Sequence, residues 1–120
     1  MKKILTVSLV AIFGVALVSS AALAGYGKDA KLAGRVKEHK TLIPLTKAKV
    51  KIYTKGGKLK DSDKTDKQGK YSFSDLKPGT YRVKAKMEGY RNPKNFKKSY
   101  VSKTIKVQGS DRQNLYMQKG

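Results

Sequence analysis

The sequence has no cysteine, no tryptophan, one histidine and three prolines, and only 8 acidic side chains stand against 28 basic ones. Without cysteine there can be no disulfide, no thiolate metal site and no lipid-modified cysteine behind an export leader. With a single imidazole, His39 in Glu38-His39-Lys40, there is no base paired to a nucleophile and an orienting acid as a catalytic triad requires. Ser62, Ser72, Ser74, Ser99, Ser102 and Ser110 supply hydroxyls but belong to no nucleophile motif. Glycoside hydrolysis would need two carboxyl groups about 5 to 9.5 Å apart across a cleft, and the few acids show no such pairing. Asp61, Asp63 and Asp66 cluster as in a calcium loop, but position six is Asp66 rather than glycine and no glutamate closes position twelve. Lys60, Lys64 and Lys67 interleave with them and repel a cation. The expectation is a non-enzymatic chain with no cofactor and no metal.

What is present begins with an export signal. Met1-Lys2-Lys3 is a short basic start, Ile4 to Val18 is apolar, and Ala22-Leu23-Ala24 has the small-residue pattern of a peptidase site. An uncleaved anchor is the competing reading, since Ile4 to Ala24 nearly suffices to span a bilayer. Cleavage after Ala24 divides the chain into a leader (1–24), a flexible lead-in (25–31) and one domain (32–119) with no membrane span. The destination is the periplasm or the outside of the cell.

The formal net charge is +20, and removing two leader lysines leaves 26 − 8 = +18. The charge forms neither a tail nor a block; it alternates with apolar residues and so belongs to a folded surface. It serves either solubility, by guarding strand edges, or attraction to an acidic partner.

No segment after the leader sustains a helical period. Alternation instead marks strands at Leu32–Lys37, Lys47–Thr54, Tyr71–Leu76, Tyr81–Glu88, Val101–Val107 and Gln113–Met117, with a weakly patterned seventh at Lys58-Leu59-Lys60. Turn signals separate them at the spacing of an all-β sandwich.

Gly34-Arg35-Val36, Ala48-Lys49-Val50-Lys51-Ile52, Thr65-Asp66-Lys67-Gln68-Gly69-Lys70-Tyr71-Ser72-Phe73, Leu76-Lys77-Pro78-Gly79-Thr80-Tyr81 and Gly89-Tyr90 follow one another in order. In these the chain resembles the carboxypeptidase regulatory-like domain. The resemblance implies a seven-stranded antiparallel Ig-like or prealbumin-like β-sandwich, often grouped with the carbohydrate-binding-like fold. It also implies a non-catalytic accessory role beside peptidases, glycan-active enzymes, adhesins or receptors, and no shared catalytic residues. Structural roles follow from the residues themselves. Gly69 suits a positive-φ turn, Asp66 caps backbone N–H groups there, and Tyr81 is a candidate tyrosine corner.

Two binding candidates remain. Lys47, Lys49 and Lys51 share one strand face, and Arg82, Lys84 and Lys86 share another. If both strands lie in one sheet, six cations sit about 5 to 7 Å apart, within a screening length of about 8 Å, and suit a linear polyanion. If they lie in opposite sheets the charge is diffuse. The second candidate is the stretch from Tyr90 to Tyr100, with Arg91, Asn95 and Phe96, whose aromatics and amides suit a glycan; the alternative is a crossover loop whose aromatics tuck against the sandwich. The partner expected is an envelope or extracellular protein, or an acidic glycan or other polyanion, rather than intracellular nucleic acid. The free domain is expected to be a monomer.

Overall fold

The computed structural model describes residues 30–120; the expected leader and residues 25–29 of the lead-in lie outside the described residues. Nine strands follow in order: β1 Ala30–Glu38, β2 Lys49–Thr54, β3 Leu59–Lys64, β4 Lys70–Leu76, β5 Gly79–Lys86, β6 Tyr90–Arg91, β7 Tyr100–Val107, β8 Ser110–Arg112 and β9 Leu115–Lys119. They form a two-sheet sandwich. One sheet has the order β7-β5-β2-β3; in the other, β1 pairs with β4 on one side and with β8 and then β9 on the other, and β9 carries β6. No helix among the described residues is long and apolar enough to cross a membrane.

Alternation builds the core. Leu32 and Val36 of β1, Val50 and Ile52 of β2, Tyr71 and Phe73 of β4, Val83 and Ala85 of β5, and Leu115 and Met117 of β9 are buried, and residues between them face outward. Phe73 lies 5.7 Å from Tyr71, ring centroid to centroid. The Tyr71 hydroxyl donates to the Gln113 carbonyl, and burial pushes its pKa well above the ordinary phenol value. Gly34 permits this crossing, since a Cβ there would collide with the Gln113 carbonyl. The Tyr81 hydroxyl donates to the Lys77 carbonyl at 2.6 Å while its ring is buried, as a tyrosine corner does.

The turns carry out the roles read from their residues. Asp66 Oδ1 accepts N–H bonds from Gln68 and Lys70, each at 2.9 Å. Gly69 has φ +74°, and a Cβ on it would meet the Val36 oxygen at 2.7 Å. Thr65, at the head of the longest matching motif, is buried; it donates its hydroxyl to Leu45 O at 2.5 Å and accepts Ala48 N–H at 2.8 Å.

The structure departs from the seven-stranded, wholly antiparallel expectation in count and in direction. Asp61–Lys64 extends the brief Lys58–Lys60 segment into the edge strand β3, which shows no period because five of its six residues are exposed. Ser110–Arg112 is the short strand β8, overlapping Gly109–Asp111, which reads as a turn in the sequence. Both β8 and β9 run parallel to β1, because the chain returns to the first strand in the same direction. β1 starts at Ala30, two residues before the sequence period begins.

Gly69→Ala is expected to lose about 1–3 kcal/mol of stability, from positive φ and the clash with Val36 O together, as read by denaturant titration. Donated backbone N–H groups, foremost those of Thr41 and Lys70 respectively, hold Glu38 and Asp66 below the usual carboxylate range. Their contribution is complete above the unfolded values near about pH 4 and is lost as pH falls through the lower folded values. Melting temperature is therefore expected to decline below about pH 4, less steeply in Asp66→Asn.

Candidate functional site

The two candidate strands are hydrogen-bonded neighbours. β2 and β5 pair antiparallel with Lys49 opposite Lys86, Lys51 opposite Lys84 and Tyr53 opposite Arg82. The inner residues of the same pair, Val50 opposite Ala85 and Ile52 opposite Val83, are all buried. A period of two leaves no choice about the remainder: once the aliphatic side chains face the core, every lysine faces out on the same side.

Neighbouring strands extend the face into rows. The first is Tyr100, Lys86, Lys49 and Lys64; the second is Ser102, Lys84, Lys51 and Ser62. Lys64 was not legible as part of this surface, because the strand that carries it looked like a loop. Lys47 precedes β2 in a turn with φ 66° and joins Lys49, Lys51, Lys84 and Lys86 around a trough of about 560 Å³, which Glu88 borders. All six cations of the first candidate thus share one surface.

The Tyr90–Tyr100 candidate divides. Tyr90 packs on the core, and β6 joins it to the second sheet through Lys119. Asn92 accepts the N–H groups of Lys94 and Asn95, and its own amide donates to Tyr100 O. Asn95 accepts Lys97 N–H at 3.2 Å. These amide oxygens shape the turn. Phe96 is half exposed and lies 5.7 Å from the Arg91 guanidinium. Tyr100 stands apart from these. It lies on the lysine face, where Lys84 Nζ is 4.2 Å and Lys98 Nζ 5.9 Å from its ring centroid, within cation–π range. The eleven candidate residues do not form one site; Tyr100 joins the six cations.

His39 is exposed at the end of β1. The aspartates of the supposed calcium loop do not converge. Asp63 Oδ2 accepts Ser72 N–H at 2.9 Å, closing the gap between the edges of the two sheets, while Asp66 caps its turn. Among the described residues no group of three His, Asp or Glu side chains is placed to hold a metal ion.

The described residues thus form a two-sheet sandwich with a cationic outer face on its four-stranded sheet. Residues 31–118 match the carboxypeptidase regulatory-like domain, and the chain belongs to that family. No curated protein sequence matches it. Among solved structures, the group B streptococcus pilus 2b backbone protein aligns with TM-score 0.62 and 16% identity over 77% of this chain and 42% of that one. Shaft pilin spaA from Lactobacillus rhamnosus GG aligns with TM-score 0.59 and 15% identity over 76% and 46%. A Bacteroides uniformis ATCC 8492 protein provisionally described as carbohydrate binding aligns with TM-score 0.56 and 16% identity over 76% and 42%. The chain spans less than half the length of each of these. At such identities the likeness is one of fold: a β-sandwich of the kind found in pilin and carbohydrate-binding-like domains.

Like charges directly opposite in an antiparallel pair repel. Melting temperature without ligand is therefore expected to rise by a few degrees as salt screens the lysine rows. The rise should be smaller in Lys51→Gln, as scanning calorimetry across a salt series would show.

Proposed function

We propose that this domain is a non-catalytic binding module of the cell envelope, and that its four-stranded sheet holds a linear acidic polymer across the lysine face. The observation that carries this reading is the cross-strand register, which sets lysine against lysine in successive rows. A surface shaped for solubility gains from lysine on edge strands, with signs interspersed. Here the like charges lie on β2 and β5, the two central strands of their sheet, where they cost stability and guard no edge. An acidic polymer lying along the rows removes the repulsion and releases its own counterions.

Tyr53 and Tyr100 flank the cations and offer apolar faces to a sugar ring. An exported location is supported by the leader pattern and by a fold shared with surface pilins. The partner assigned is the polymer rather than an envelope protein, the domain acting as a monomer.

A heparin fragment of defined length serves as the probe. Its affinity is expected to fall roughly a thousandfold between about 50 and 200 mM salt. The variant Lys49→Gln/Lys51→Gln/Lys84→Gln/Lys86→Gln should melt no lower than wild type and lower the slope of log affinity on log salt by roughly 3. Lys55→Gln/Lys58→Gln/Lys94→Gln/Lys97→Gln removes equal charge elsewhere and should change it little. Equal losses in the two variants would show net charge alone at work, and would overturn the assignment to the face.

A further inference from the structure

The second sheet repeats the pattern on the opposite surface. In β1, Leu32, Gly34 and Val36 face the core, so Lys31, Arg35 and Lys37 face away from it. β4 sets Lys70 opposite Arg35 and Ser72 opposite Ala33, and β8 sets Arg112 opposite Ala33 from the other flank. Small residues in the middle and long cations around them leave a concavity of about 700 Å³ over Ala33, Arg35, Lys70, Ser72 and Arg112. Asp63 and Asp66 border it, as does Lys64. Four cations against two carboxylates leave it positive, and both carboxylates already accept backbone N–H groups. Two of its cations are arginines, whose planar forks grip a sulfate, phosphate or carboxylate through paired hydrogen bonds.

We propose that the domain is bivalent: this concavity takes a second segment of the same kind of acidic polymer, and one domain bridges two strands. The proposal rests on the reading of the lysine face given above. The sheets of a sandwich stand about 10 Å apart, and the outward side chains add to that. The surfaces adjoin at Lys64 on the β3 edge, but Arg35, Lys70 and Arg112 stand more than a screening length of about 8 Å from the central lysines, so filling one surface leaves the other attractive. Opposite placement on a thin rigid slab prevents a single straight segment from covering both.

The test is light scattering with the heparin probe at varied ratio, together with calorimetric stoichiometry. The wild-type domain should scatter most at an intermediate ratio and lose scattering when either component is in excess. Arg35→Gln/Lys70→Gln/Arg112→Gln should still bind, with half the segments per domain and no scattering maximum, at unchanged melting temperature. The four-lysine face variant should likewise bind half the segments with no scattering maximum, melting no lower than wild type, and combining both sets should abolish binding.

Scattering by the arginine-face variant equal to wild type would overturn bivalence. So would equal loss of scattering in the Lys55/Lys58/Lys94/Lys97 control. If the lysine-face variant loses all binding, bivalence fails while the first face stands. If the lysine-face variant instead binds as wild type does, both readings fail together.

Discussion

The pairing of β2 with β5 is the constraint on which the rest depends. Its inner residues, Val50 with Ala85 and Ile52 with Val83, are fully buried in the centre of the four-stranded sheet. Burying Val50, Ile52 and Val83 stabilises by about 1.5–3 kcal/mol each, and the smaller Ala85 by less. A slip of one residue would exchange them for lysines, so the register is held by the core. The same register places Lys49 against Lys86 and Lys51 against Lys84 on the other side. Charge repulsion on the outside is tolerated because burial on the inside is worth more.

The acids help to explain why so much of the positive charge faces solvent. Glu38 accepts the N–H groups of Lys40 and Thr41, Asp66 those of Gln68 and Lys70, and Asp111 those of Gln108 and Gly109. Asp63 ties β3 to β4 through Ser72 N–H. Carboxylates hold the turns and one seam of the sandwich, while lysines and arginines stand on its two outer faces. A separation of this kind gives a chain with few acids a stable fold and an attractive surface together.

Membership of the carboxypeptidase regulatory-like family accounts for the sandwich but not for the charge. Fold likeness extends to pilins and a carbohydrate-binding-like domain at 15–16% identity, a likeness of backbone architecture that leaves the outer residues unspecified. A shared fold does not by itself specify function, and the outward strand positions are those the core leaves unconstrained. In this chain those positions carry lysine and arginine on both sheets.

Much of the fold was legible because a strand with one buried face writes itself as a period of two. Lys49 to Ile52, Tyr71 to Phe73 and Tyr81 to Ala85 show it, and so do the special demands on Gly69, Asp66 and Tyr81. Where neither face is buried no period is written, and β3 and β8 were missed or shortened for that reason; β6, with two residues, is too short to show one. Alternation within a strand tells which residues share a side, but not which strand lies beside it. Only the tertiary structure decided that the two lysine strands are neighbours, that Tyr100 joins them while Asn92 and Asn95 serve their own turn, and that Arg35, Lys70 and Arg112 meet. Each of those facts depends on pairing between residues distant in the chain, and such pairing is selected by the packing of the whole core.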